Sequence, residues 1–203
     1  MARPREFDEA VVLDRARDLL WANGITATSI NELSAAMQLS VGSIYKAFGS
    51  KDALVARVLD EYLTASRAEM ADALDAGATG RDGFDRLLAM VTTMATGLPA
   101  DDTETPDGAP ANGCFAVNCS VERAAVTPEV AERLRHHDDS ILALFATGID
   151  RVAEEEGRDL DPEGGAALLY TAINGLQVAA RKGIARDEAT RILTTARDAV
   201  IGT

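Results

Sequence analysis

Ser29-Ile-Asn-Glu-Leu-Ser-Ala-Ala-Met-Gln-Leu-Ser40-Val-Gly-Ser-Ile-Tyr-Lys-Ala-Phe-Gly-Ser50-Lys-Asp-Ala-Leu54 is the stretch that decides the fold. Ser29 and Glu32 make a capping-box pair, so a helix begins there. Ile30, Leu33 and Met37 recur at helical spacing and supply its buried face. Gln38-Leu39-Ser40 interrupts it, and Ser40 caps a second helix whose apolar stripe is Ile44 and Phe48. Gly49-Ser50 ends that helix after about two turns. Val41, Gly42, Ser43, Tyr45 and Lys46 lie off the stripe. A short, exposed, hydrogen-bonding helix held by a capped partner suits the major groove of duplex DNA, which is roughly 12 Å wide.

From Gly24 to Leu54 the chain resembles the DNA-binding signature of the TetR/AcrR family of bacterial transcriptional regulators. The matching residues are Gly24, Thr28-Ser29, Leu33, Ser40, Gly42-Ser43-Ile44-Tyr45, Phe48, Ser50-Lys51 and Leu54. The resemblance implies an all-α protein of about nine helices. Residues 1–51 would be a three-helix DNA-binding domain with a helix-turn-helix, and 52–203 a helical ligand-binding and dimerisation domain. It also implies a regulator that is not an enzyme, in practice a repressor. Such a protein binds a near-palindromic operator as a homodimer and is released by a small-molecule effector. Two positions depart from the pattern. Gln38 stands where the turn is often glycine, at a cost of roughly 1 kcal/mol if the backbone is left-handed. Ala47 stands where histidine often precedes the aromatic residue, so that phosphate contact is not carried over.

The candidate DNA-binding residues are Thr28, Ser29, Ser40, Val41, Gly42, Ser43, Tyr45, Lys46 and Lys51. Hydroxyls and free N–H groups at a helix start can hold a phosphate, although plain capping explains the same residues. Gly42 lets backbone approach the duplex, Val41 fits a thymine methyl, and Ser43 can reach a base edge or phosphate. Tyr45, Lys46 and Lys51 suit the backbone.

Charge looks unfavourable at first sight, since the whole chain carries a formal −13. In residues 1–51 six basic side chains (Arg3, Arg5, Arg15, Arg17, Lys46, Lys51) balance six acidic ones (Glu6, Asp8, Glu9, Asp14, Asp18, Glu32). The remainder therefore holds the whole negative balance. A neutral head on an acidic body binds nonspecific DNA weakly, because phosphate neutralisation supplies that affinity. Acidity that merely keeps the protein soluble is the simpler explanation.

Hydrophobic residues make up 47% of the 203 and aromatics 4%, enough for a core without β alternation. A polar start and the lack of an 18-residue apolar run imply no membrane segment and a cytoplasmic protein. Cys114 and Cys119 form neither a disulfide framework nor zinc spacing. His136 and His137 are adjacent and point to different sides, so no metal and no cofactor is expected.

Outside the quoted stretch, Asp8 to Asn23 reads as a first helix with Val12, Ala16, Leu19 and Leu20 on one face and Trp21 packing at its end. Residues 1–6 form a basic arm. Lys51 opens a long fourth helix to about Asp75, buried at Leu54, Val58, Leu59, Leu63, Met70 and Leu74. After a break at Gly77–Gly83, a fifth helix runs over Phe84–Leu98 and a loop over Pro99–Asn112. A sixth helix covers Gly113–Ala125 and carries both cysteines. Thr127-Pro128-Glu129 and Asp161-Pro162-Glu163 each start a helix by the same device, with a capping side chain, proline in the first turn and an acid at the positive end. These helices span 128–156 and 162–182, and a ninth spans 187–201.

On the eighth helix Ala167, Thr171, Gly175 and Ala179 line up four apart and allow close backbone approach. With Ile192, Leu193, Ala196 and Val200 of the ninth they make the candidate dimer interface, a four-helix contact across a two-fold axis. The candidate ligand-binding residues are Met90, Met94, Cys114, Phe115, Asn118, Ile141, Phe145, Tyr170 and Asn174, most of which ordinary core packing would also explain. Gly113-Cys114-Phe-Ala-Val-Asn-Cys-Ser-Val-Glu122 resembles a TetR subgroup that includes thiol-based sensors of electrophiles, which makes Cys114 an alternative sensor. Rival classes are an enzyme with a Cys114 nucleophile and His136 or His137 as base, and a helical small-molecule carrier that binds no DNA.

Overall fold

The reasons for each helix are local, and the computed structural model, which describes residues 7–96, 114–122 and 127–203, makes most of them visible. Among the described residues every regular element is an α-helix. They are α1 (Glu9–Asn23), α2 (Ile30–Met37), α3 (Val41–Phe48), α4 (Lys51–Asp75), α5 (Gly80–Thr96), α6 (Phe115–Val121), α7 (Pro128–Glu156), α8 (Pro162–Arg181) and α9 (Arg186–Ile201). Two compact units result, one of Met1–Thr64 with Asn118–Leu134 and another of Ala65–Val117 with Arg135–Thr203.

In the first unit α1 packs on α2 and α2 on α3. Asp8 caps α1 by accepting from the Ala10 N–H at 3.1 Å. The buried face is Val12, Leu13, Ala16 and Leu20. Leu13 takes the place expected of Leu19, which is only half-buried. They flank the centre of the 12-16-20 row on opposite sides by about 60° each, so spacing alone does not choose between them. Trp21 does pack at the helix end, edge-on to Tyr62 with centroids 5.6 Å apart. Leu54, Val58, Leu59 and Leu63 of α4 are all buried here. Phe7 lies against Phe48, 6.5 Å between centroids.

The second unit has its own core, built from Met70, Leu74, Phe84, Leu87, Phe145, Ile149, Leu169, Ile173 and Leu193 among others. Helix α5 packs on α8, and α8 on α9. Helix α5 starts at Gly80, four residues before the expected Phe84. Thr79 caps it by accepting from the Asp82 N–H at 3.1 Å. The expected break is confined to residues 76–79, and Gly83, already within α5, serves close approach: a Cβ there would lie 2.3 Å from the Leu74 carbonyl oxygen. Thr127 and Asp161 cap α7 and α8 as expected, accepting from the Val130 and Gly164 N–H groups at 3.3 and 3.0 Å. The sixth helix ends at Val121 rather than Ala125. Gly113, the proposed loop 99–112 and the arm 1–6 fall outside the described residues, as does the end of the expected sixth helix from 123 on.

Two groups generate stability predictions. Gln38 is the left-handed residue between α2 and α3, at φ 55° and ψ 38°. Gln38→Gly removes the side-chain strain and is expected to raise unfolding free energy by roughly 0.5–1 kcal/mol in a urea titration, less the added entropy of the unfolded glycine. His137 is buried, its Nδ1 has no hydrogen-bond partner, and its pKa is pushed down to about 4, first by burial and then by the charges of Arg67 and His136. An unfolded histidine titrates near 6.5, so between about 6.5 and about 4 the unfolded chain binds a proton that the folded one refuses. Stability therefore falls as pH drops through that window, by on the order of 2–3 kcal/mol when complete. His137→Leu should flatten the urea midpoint between pH 6.5 and 4.5, where wild type declines.

Candidate nucleic-acid interface

Ser29 begins the site. Its hydroxyl accepts from the Glu32 N–H at 3.2 Å, while its own N–H donates to Glu32 Oε2 at 2.7 Å, a closed capping box. Hydrogen bonding to the carboxylate from Ser29, its side chain first and then its N–H, holds the Glu32 carboxyl below its ordinary pKa, with Lys51 assisting. Ser40 repeats the cap, accepting from the Ser43 N–H at 3.1 Å and sharing a hydroxyl contact with Ser43 at 2.8 Å. Ile44 is completely buried, which sets the rotation of α3. Gly42, Tyr45 and Lys46 are consequently turned to solvent, with Tyr45 45% exposed, and Val41 and Ser43 are half-buried beside them. No neighbouring atom other than Ser40 Oγ, at 3.9 Å, approaches the position of a Cβ on Gly42. The exposed face of α3 is thus small, polar and singly positive, with a free backbone edge.

Two expected contacts have a different first role. Thr28 is 1% exposed and its hydroxyl donates to the Gly24 carbonyl at 2.7 Å, so the side chain clasps the turn before α2 and is not available to a phosphate. Lys51 Nζ donates to the Ile25 carbonyl at 2.8 Å and keeps two further donors. The same turn receives a residue the sequence did not point to. Glu122 accepts from the N–H groups of Ile25 and Thr26 and from the Thr26 hydroxyl. It lies 97 positions from Ile25, and no local pattern announces it.

In the second unit Ile141 and Phe145 belong to the continuous core, with Phe145 edge-on to Phe84 at 6.5 Å between centroids. Met90, Met94 and Tyr170 pack partly against it, and Cys114 and Phe115 are buried. The Tyr170 hydroxyl donates to Asp138, and Asn174 also hydrogen-bonds Tyr170. Burial first, then Asp138, drives the Tyr170 pKa well up, and Cys114 adds to the rise. Burial raises Asp138 in turn, opposed by the tyrosine hydrogen bond. Asp138 was missed: it shares a face of α7 with Ile141 and Phe145, but its partner Tyr170 lies on another helix. Asn118, a further candidate, is buried and belongs to the first unit. Among the described residues no His, Cys, Asp and Glu cluster could hold a metal ion, and no helix is long and apolar enough to cross a membrane.

Of the candidate interface residues, Ala167, Thr171, Gly175 and Ile192 are exposed and Ala179, Ala196 and Val200 half-buried. Leu193 instead belongs to the unit's own core, 5% exposed, so it is not free to meet a partner. Leu168 and Val178, 48% and 50% exposed, extend the same stripe of α8. Val178 was not anticipated, although it follows Gly175 and Thr171 at helical spacing.

Residues 12–58 match the profile of the bacterial regulatory proteins of the tetR family. YezE of Bacillus subtilis (strain 168), an HTH-type transcriptional regulator, is 25% identical over 164 residues, covering 79% of each chain. ComR of Escherichia coli (strain K12), an HTH-type transcriptional repressor, is 27% identical over 195 residues, 95% of this chain and 89% of that one. Among solved structures, a cysteine mutant of the TetR-family regulator CifR complexed with 26-bp operator DNA superposes with a TM-score of 0.74 at 29% identity, covering 97% of both chains. Residues 12–58 are thus a tetR-family region that holds the helix-turn-helix, and over nearly its whole length the chain is similar to TetR-family DNA-binding transcriptional regulators.

Proposed function

We propose that the protein is a homodimeric repressor that places α3 of each copy in the major groove of a near-palindromic operator and lets go when a small molecule binds the helical body. The observation that carries this is the orientation of α3: Ile44 buried, and Gly42, Tyr45 and Lys46 presented outward. In this reading Ser43 and Val41 meet base edges. Tyr45, Lys46, Lys51, Ser29 and Ser40 hold phosphates. Residues 1–51 serve as the reading head and 52–203 as the sensing and pairing part, with α4 contributing to both compact units. The repressor names of relatives such as ComR support the sign of regulation.

A single neutral head makes few phosphate contacts, so two heads on half-sites about one helical turn apart, or a multiple, are needed for useful affinity. The exposed stripe of Leu168, Thr171, Gly175, Val178 and Ile192 is the surface proposed to pair the copies. The effector is assigned to the second unit, where Tyr170, Asp138 and Asn174 supply hydrogen-bonding groups and Met90 and Met94 pack partly against the same core as Tyr170. An effector that favours the released state lowers operator affinity by its differential affinity, typically about 5–150-fold.

The test is a duplex selected from random DNA by the purified protein. Tyr45→Ala with Lys46→Ala is expected to abolish binding while leaving the oligomer intact, and retained binding would remove α3 as the reading element. Sedimentation at micromolar protein should give a dimer, and Val178→Arg with Leu168→Arg should give a folded monomer. A wild-type monomer would refute the pairing stripe.

A further inference from the structure

Glu122 follows the last residue of α6, and its carboxylate reaches the turn between α1 and α2. Oε1 accepts from the Ile25 N–H at 3.1 Å. Oε2 accepts from the Thr26 N–H at 2.9 Å and from the Thr26 hydroxyl at 3.1 Å. All of these groups lie in the first compact unit. The turn is shaped for this: Gly24 has φ +87°, and a Cβ there would sit 2.7 Å from Glu122 Oε1. Two successive backbone N–H groups behind a left-handed glycine form a concavity for an anion, and here the chain supplies its own. The opposite side of the same residue is also held, since Lys51 Nζ takes the Ile25 carbonyl at 2.8 Å. Thr28 completes the clasp through the Gly24 carbonyl. Three residues after Thr26, Ser29 caps α2.

We propose that Glu122 is a positioning residue for operator binding: it touches no DNA, but its carboxylate latches the turn from which α2 starts and so presets the helix-turn-helix. The inference rests on the DNA-binding reading and adds to it a determinant outside the helix-turn-helix. The chemistry requires a carboxylate. Three donors converge on two oxygens, so both must accept. Glutamine has one acceptor oxygen, and its amide N–H groups would face a donor. Aspartate keeps both oxygens on a shorter stem. With the latch open the turn is more mobile, and binding must supply the ordering entropy that the free protein has already lost.

Three variants separate positioning from contact and from plain stability: Glu122→Gln, Glu122→Asp and Lys46→Ala. Each is titrated by anisotropy against the duplex that wild type selects, with the active fraction set by stoichiometric titration, over a salt series. Glu122→Gln is expected to bind about tenfold more weakly per active molecule, with Glu122→Asp in between. The slope of log affinity against log salt should equal that of wild type, because no phosphate contact is lost, whereas Lys46→Ala should lower it by about one. Hydrogen exchange without DNA should show the Ile25 and Thr26 amides opening about tenfold faster in Glu122→Gln than in wild type. Unchanged or tighter binding in Glu122→Gln overturns the proposal, as does a reduced salt slope, which would make Glu122 part of the DNA contact. Unchanged exchange at those amides overturns the latch itself whatever the DNA result. A wild-type protein that selects no duplex overturns the DNA reading and this role together.

Discussion

An eight-residue helix does not hold its shape in water, because the nucleation cost outweighs so few hydrogen bonds. Everything about the head follows from supplying α3 with what it lacks. Ser40 satisfies its first turn, Gln38 turns the chain sharply enough to bring it back, and Ile44 is completely buried. Burial of one branched aliphatic side chain contributes roughly 1.5–3 kcal/mol, and a side-chain cap about 1 kcal/mol. The two together are comparable with the deficit of a two-turn helix. Neither leaves anything to spare, so the outward face stays small and polar: apolar groups there would compete with Ile44 for the core.

Polar clasps on the α1–α2 turn solve the related problem of fixing α2. This turn has to be irregular, and irregular backbone must find partners for its N–H and C=O groups. Gly24, Ile25 and Thr26 find them in Thr28, Lys51 and Glu122. Two of these side chains belong to the signature that marks the chain as a DNA binder. The same residue types serve phosphate recognition and backbone clasping because both tasks need directed hydrogen bonds at a helix start, and a sequence signature does not distinguish them.

The elements most legible in the sequence were those governed by neighbours within four positions. The capping box at Ser29, the caps at Ser40, Thr127 and Asp161, and the ends of α4, α7 and α9 follow from local hydrogen bonding and spacing, and the structure places them within a residue or so of expectation. Where partners are distant, the reading ran out. Glu122 meets a turn nearly a hundred positions earlier, Asp138 meets Tyr170 on another helix, and Leu193 is claimed by the core rather than left outside. Glycine misled for another reason. The Gly77–Gly83 run looks like one break, but only 76–79 is; Gly83 is small because the Leu74 carbonyl is close, and Thr79 starts the helix ahead of it. Composition shows that a residue is small without showing which constraint wants it small.

Charge supplies the last link. A head with balanced charge, resting on a chain of net −13, gains little from the phosphate backbone as such. What it gains must come from placed contacts, and placed contacts are worth most when the groups making them are already ordered. That makes ordering of the α1–α2 turn and the proposed doubling of the head by pairing two answers to one shortage. Ordering reduces the entropy lost at each half-site. Pairing turns the second half-site into an intramolecular event, with an effective concentration far above that of free protein. A strongly basic head would need neither and would bind all DNA. In the proposed dimer, modest attraction per head would make binding depend on both heads fitting at once, so a small change in their spacing or order would be enough to release the operator.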